Sequence, residues 1–245
     1  MQPPEGWLPD PEWPGWYRDP NGNAADDASW WQAVPEGWVQ DTDPAWWFNP
    51  HGDVTRPENW WTAGRIQKPA KLDYAVKQVS AACYTVGRSG GAKPIAIVIH
   101  TMGGTLPGCD SWFQNPQSQV SAHYGVGQET GEIHQYVQEQ DTAWANGVLE
   151  SGNRWFGTPG VNPNTETISI ETEDFKNGDL SVSDGMFESV RWLCVEIMKR
   201  WPSVKYLTTH TIISPKSRAY CPGNRWVAQG RLAEIAALAG LEPRV

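Results

Sequence analysis

Basic and aliphatic side chains are nearly missing from the first quarter of this 245-residue chain. Residues 1–62 contain two basic residues, Arg18 and Arg56, against 11 acidic ones, a balance of −9. The remaining residues hold 17 of each sign, so the net charge of −9 belongs entirely to that first quarter. Its only Leu, Ile or Val residues are Leu8, Val34, Val39 and Val54. Nowhere does the chain approach the roughly 20 consecutive apolar residues of a membrane-spanning helix. The opening MQPPEGWLPD has neither the basic nor the apolar segment of a secretory signal, so none is expected. Four cysteines in 245 residues do not make a disulfide framework. A pI near 5.0 speaks against nucleic acid or an anionic membrane as partner, because both reward a basic surface.

What the first quarter has instead is tryptophan and proline, ten of the chain's 16 Trp and ten of its 20 Pro. It is also an internal repeat. Pro4-Glu5-Gly6-Trp7 recurs as Pro35-Glu36-Gly37-Trp38, Trp16-Tyr17 as Trp47-Phe48, and Trp30-Trp31 as Trp60-Trp61. Short strands broken by turns such as Asp19-Pro20-Asn21-Gly22 are the expected structure. Two tandem units, 1–31 and 32–62, are therefore read, followed by a linker over 63–70 and a second domain over 71–245. With so few aliphatic residues, Trp must do the burying, about 150–250 Å² each. Adjacent Trp residues in a strand point to opposite faces. One of each pair could then face outward and stack on sugar or on a partner, which suits a binding or targeting module.

From Lys71 the pattern changes. Leu72, Val76, Val79 and Ala82 have helical spacing, which predicts a helix over 71–84. Ile95 to Ile99 is a continuous apolar run ending in His100, as expected of a buried strand that opens into a Gly-rich loop. Further strands are expected at 131–137, 167–173 and 204–209, the last running into His210. Helices are expected at 183–201 and 226–239, and Pro107-Gly108-Cys109-Asp110 reads as a loop. The fold class is α/β (α+β), a mixed central sheet flanked by helices. Cys83 and Cys194 fall on apolar stripes and read as inert buried thiols. His134, in an alternating strand, reads as a satisfied sheet residue.

Two strands thus end in His, and eleven residues after His210 comes Cys221. Imidazole and thiolate are the ligands zinc prefers, and catalytic zinc uses three protein ligands with a fourth position left open. His100, His210 and Cys221 are the candidate set for one Zn²⁺ ion. Three isolated residues of this kind also fit ordinary structural roles.

The ordered motifs IVIHTMGG, VSAHYGV, GEIHQYV, TISIETE and TH…CPG resemble the type-2 N-acetylmuramoyl-L-alanine amidase family, which includes peptidoglycan-recognition proteins and phage endolysins. The resemblance runs from about Pro94 to the final helix. It implies the amidase type-2 fold and zinc ligation by His100, His210 and Cys221. It also implies cleavage of the amide between N-acetylmuramic acid and L-alanine in bacterial peptidoglycan. Some members manage protons with a Glu in a strand motif, others with a Tyr before the His of the SYH motif. Ala122 stands at that Tyr position here, so the resemblance implies Glu171 as general base and acid, with Glu173 as reserve.

Ala219 occupies the place where members carry Lys or Thr, which leaves Arg218, or Lys216, to face the developing oxyanion. His123 and Tyr124 are candidates for substrate contact, with a core or supporting role as the alternative for His123. Trp144 is a third candidate, in a segment reading AWANG where many members have AWHAG. The resemblance makes a phage endolysin the leading expectation. It would be a monomer held in the host cytoplasm until a membrane pore releases it to the wall, with the repeats binding a second wall component. A recognition protein that binds without cutting, or a bacterial autolysin or effector, are the alternatives.

Overall fold

The computed structural model describes residues 73–175 and 180–245 in full, together with the backbone of six short strands within the first 72 residues. The chain divides into two compact units, Met1–Ala70 and Lys71–Val245. In the first, β1 (Leu8–Pro9), β2 (Trp16–Arg18) and β3 (Ala24–Asp26) form one antiparallel ladder. β4 (Val39–Gln40), β5 (Trp47–Phe48) and β6 (Val54–Thr55) form another. Trp16-Tyr17 and Trp47-Phe48 each occupy the middle strand. The expected sorting of Trp side chains between core and surface, and the linker at 63–70, lie outside the described residues.

The second unit is built on a seven-stranded mixed sheet. Its strands are β7 (Tyr74–Val76), β9 (Ala96–Thr101), β10 (Tyr124–Val126), β11 (Ile133–Gln135), β13 (Thr167–Thr172), β14 (Tyr206–Thr209) and β15 (Glu242–Arg244). The order across the sheet is β15-β14-β9-β13-β10-β11-β7, and β10 with β11 is its antiparallel pair. β8 (Tyr84–Thr85) and β12 (Thr142–Ala143) form a separate ribbon. Helices are α1 (Leu106–Gln114), α2 (Asp184–Arg200), α3 (Asn224–Val227) and α4 (Arg231–Ala239).

Side-chain alternation decides what each face does. Ile97 and Ile99 on β9, Ile168 and Ile170 on β13, Tyr124 and Val126 on β10, and Leu207 on β14 all join one core cluster. Met186, Val190, Leu193 and Ile197 of α2 and Leu232, Ile235 and Ala236 of α4 pack into that cluster. Each of the Val, Leu, Ile and Met side chains contributes about 1.5–3 kcal/mol of burial. α2 starts where the Ser183 hydroxyl accepts a hydrogen bond from Met186 N, and it ends at Trp201, as the sequence pattern predicts. The opposite face carries a smaller cluster of Cys109, Phe113, Ala122, Tyr136, Val137 and Ala143 under α1.

Three expectations need correction. The helix expected over 71–84 does not form in its described part, 73–84: Tyr74 to Val76 pair in parallel with β11, and the Lys77 N–H continues the ladder to Gln135 O. Val76, placed on the inner stripe of that helix, is 65% exposed. The sheet edge offers backbone partners that outweigh a short periodic pattern. The single helix over 226–239 is two, because Gly230 sits at φ 72°, in the left-handed region that ends a helical run. The loop at 107–110 is the body of α1. Its start is set by Thr105, whose Oγ1 accepts from Gly108 N, and by Pro107 in the first turn, where no N–H is needed. The edge strand β15 carries no alternation that would mark it in sequence.

A tight seam lies between the β10–β11 turn and the start of α2. Gly131 has φ 67°, and a Cβ there would stand 2.3 Å from Gly185 O and 2.6 Å from Ser189 Oγ. Neither neighbour can withdraw cheaply, since Ser189 already donates to Gly131 O. Gly131→Ala is expected to lower unfolding free energy by about 3 kcal/mol. A urea titration showing a shifted midpoint with an unchanged slope is the check.

Candidate active site

The alternation that buries Ile97 and Ile99 under α2 sends His100 to the other face. β9 and β13 pair in register, with His100 opposite Glu171 and Ile99 opposite Ile170. β14 lies along the other side of β9, with Thr209 opposite Ile99, so the next residue, His210, emerges beside His100. A cis Cys221–Pro222 peptide follows the loop that returns Cys221 to the same place. His100 comes from a part of the chain distant from His210 and Cys221, and the three side chains are buried together.

Their donor atoms converge. His100 Nδ1 lies 3.0 Å from His210 Nδ1 and 3.9 Å from Cys221 Sγ, and one ligand atom from each of the three residues falls within 4.8 Å of the others. Ligands on a tetrahedral zinc would sit about 3.3 Å (N to N) and about 3.6 Å (N to S) apart, from metal–ligand lengths of about 2.0–2.3 Å. The donor set fits such an ion. His210 Nε2 lies 3.1 Å from Asn146 O, where it donates its proton and leaves Nδ1 as a lone pair. His100 Nε2 is buried without a hydrogen-bond partner. Burial holds both imidazoles neutral, the state a metal needs: it pushes His210 down to about 4 and His100 well below its ordinary value, the latter helped by His210. Burial also pushes the Cys221 thiol up to about 12, opposed by the Thr101 N–H that reaches its sulfur at 3.4 Å.

Glu171 stands beside this group. Its Oε1 is 3.9 Å from His100 Nδ1, its Oε2 has no hydrogen-bond partner, and 15% of its side chain is exposed. Burial raises the carboxyl to about 7, against the pull of Arg218. A carboxyl so placed holds or releases a proton with little bias. Glu173, the expected reserve, is committed elsewhere. Its Oε1 accepts from Leu106 N at the start of α1, and its Oε2 accepts from Gln128 N. It acts as a tie between α1 and the turn after β10.

These groups floor a cleft of about 1020 Å³. Arg218, Lys216 and Trp144 line it, the last with its indole N–H donated to Thr85 Oγ1. Glu150 holds the segment that carries the two cations by accepting from Lys216 N and Ser217 N. His123 and Tyr124 do not line the cleft, which corrects their expected substrate contact. His123 is fully buried, with Nδ1 accepting from Ser169 N and Nε2 3.3 Å from Asp141 O, where it donates its proton. Burial and the adjacent Arg88 push it down to about 3, so it serves as a neutral pin between strands. Tyr124 belongs to the α2 side of the sheet, and its hydroxyl donates to Glu139.

His134 is satisfied by carboxylates on both ring nitrogens, Asp110 at 2.7 Å and Glu132 at 2.8 Å. Cys83 and Cys194 are buried, although Cys83 is not on a helix. The sequence reading missed the cleft-facing side of α1, with Trp112 and Phe113, and the tie made by Glu150. Thr105 with Pro107 was the available signal for α1; nothing local marks Glu150.

A family model described as N-acetylmuramoyl-L-alanine amidase matches residues 90–224, more than half of the chain. N-acetylmuramoyl-L-alanine amidase A of Achromobacter lyticus is 51% identical over 49 residues, 20% of this chain. The aligned part spans only 28% of that relative. Among solved structures, a selenomethionine derivative of AmpD aligns with a TM-score of 0.53 and 24% identity, over 69% of this chain and 98% of that one. PlyL aligns at 0.51 and 22%, over 71% and 100%. The catalytic domain of PlyG aligns at 0.51 and 20%, over 69% and 94%. These structures share the fold.

The two carboxylates have opposite effects on stability. Glu173→Ala strips an acceptor from two backbone amides and is expected to cost about 2 kcal/mol. Glu171→Gln removes a desolvated carboxylate charge whose Oε2 has no hydrogen-bond partner and is expected to leave the urea midpoint unchanged or raise it. Parallel unfolding curves of the two variants decide.

Proposed function

The chain belongs to the N-acetylmuramoyl-L-alanine amidase family, and from that premise we propose that it hydrolyses the amide between the lactyl group of N-acetylmuramic acid and the L-alanine of the stem peptide in bacterial peptidoglycan. One observation carries the reading: three metal-ligand atoms converge beside a buried carboxyl whose Oε2 is free, on the floor of an open cleft. His100, His210 and Cys221 would hold one zinc ion, which would supply the Lewis acidity to polarise a carbonyl and make water nucleophilic near neutral pH.

The remaining steps fall to the chain's own side chains. Glu171 takes the proton from the attacking water and returns it to the departing amine, which cannot leave as an anion. Arg218, on the segment held by Glu150, brings a fixed positive charge toward the oxygen that becomes negative as the tetrahedral carbon forms. Asn146, through its carbonyl, keeps the His210 ring turned with Nδ1 inward. Trp144 closes one side of the cleft.

In this reading residues 1–62 retain the enzyme on the wall, and the pairing of such a module with an amidase fits a phage lysis enzyme. The acidic, Trp-rich repeats support it: aromatic faces bind sugar rings without needing charge. Removing residues 1–66 is expected to lower retention on whole cell walls while cleavage of soluble muropeptide continues. Undiminished wall binding in a sedimentation assay would refute the targeting role.

Metal retention and turnover separate the roles within the site. Glu171→Gln is expected to keep one equivalent of zinc and lose about 10²–10⁴-fold in turnover. Cys221→Ser is expected to lose zinc and activity together. Metal analysis beside release of peptides with N-terminal alanine reads both; full turnover in Glu171→Gln removes it from the mechanism.

A further inference from the structure

The two long walls of the cleft differ in chemistry. One wall is a single face of α1 and the residues before it, with Thr105, Gly108, Cys109, Trp112 and Phe113 at helical spacing. No charge lies on that face. The one charged residue of α1, Asp110, is turned away and engaged by His134 and by the Tyr136 hydroxyl, each at 2.7 Å. Trp112 is 54% exposed, an indole face left open to solvent inside the cleft rather than in a core. The other wall is the 216–220 segment, with Lys216 and Arg218. Among the described residues lining the cleft, these two are the only Lys or Arg, and Glu171 is the only carboxylate.

The substrate of the amidase reading has the same asymmetry about the bond to be cut. On the acyl side is an uncharged glycan whose pyranose rings have flat apolar faces. On the amine side is a peptide that bears carboxylates, at the least its terminal one. Aromatic faces take the first, and cations take the second. We propose that the substrate lies in one direction only, with the glycan along α1 against Trp112 and the stem peptide along the 216–220 wall, its carboxylates steered by Lys216. This rests on the amidase reading and adds to it which residues tell sugar from peptide. Trp112 is thereby a glycan-binding residue, and the anchoring of the cationic wall by Glu150 keeps Lys216 on the peptide side.

The test compares two substrates with the same stem peptide, one N-acetylmuramoyl and one N-lactoyl, the latter lacking the sugar ring. It uses zinc-loaded full-length protein. Wild type is expected to prefer the muramoyl substrate, and Trp112→Ala to lose about 3- to 10-fold in kcat/KM on that substrate alone, through KM. Trp112→Phe should restore most of it. Lys216→Ala is expected to lose about threefold on both substrates, an effect that fades in high salt or when the peptide carboxylates are amidated. Equal losses from Trp112→Ala on both substrates overturn the direction while leaving the amidase reading intact. So does a loss from Trp112→Ala that tracks the peptide carboxylates. Wild type cutting neither substrate overturns the amidase reading, and the direction with it.

Discussion

The parallel pairing of β9 with β13 holds His100 and Glu171 opposite each other on one face of the sheet, and the rest of the site depends on that register. The same pairing puts Ile97 beside Ile168 and Ile99 beside Ile170 on the other face, where α2 and α4 cover them. A slip of one residue would drive the imidazole and the carboxyl into an apolar core and turn the isoleucines into the cleft. Hydrophobic burial therefore fixes catalytic geometry: the energy that seats α2 on the sheet is what holds two polar groups side by side. β14 repeats the arrangement one strand over, which is why His210 arrives without any contact of its own choosing.

The site is also where the fold tolerates groups it would otherwise exclude. Two neutral imidazoles meet at 3.0 Å, and a carboxyl raised to about 7 stands beside them with one oxygen unpartnered. Such groups cost stability, and their environment explains why they stay. Three titratable groups nearby are tied: Glu173 to two amides, His134 to two carboxylates, His123 to a strand amide and a loop carbonyl. Glu171 differs from them in keeping one carboxyl oxygen unpartnered while it lines the cleft.

Much of this was legible in the sequence, for physical reasons that can be named. Apolar runs ending in His reported β9 and β14, because a buried parallel strand must be apolar until it leaves the sheet. The Ser183-to-Trp201 pattern reported α2, because a long helix with one buried stripe has few alternatives. The resemblance carried by the ordered motifs pointed to His100, His210, Cys221 and Glu171, whereas Arg218 entered only because Ala219 fills the position where the family carries Lys or Thr. The rest was hidden where tertiary pairing overrides local preference. Tyr74 to Val76 became an edge strand because β11 offered it partners, and Gly230 split a helix that periodicity alone would continue. His123 and Tyr124 sit beside each other in a motif, yet alternation and burial take both away from the cleft. Trp112 was overlooked because Pro and Gly beside it read as a loop, although Pro107 sits in the first turn of a helix.

The central claim is that a zinc held by His100, His210 and Cys221 works with Glu171 on one bond of peptidoglycan. Mass spectrometry of purified peptidoglycan, digested by the zinc-loaded protein and by the chelated protein, tests it directly. The account predicts free stem peptides beginning at L-alanine beside intact glycan strands, in the zinc-loaded digest and absent from the chelated one. Peptidoglycan left uncut under both conditions, or fragments broken within the glycan, would contradict it.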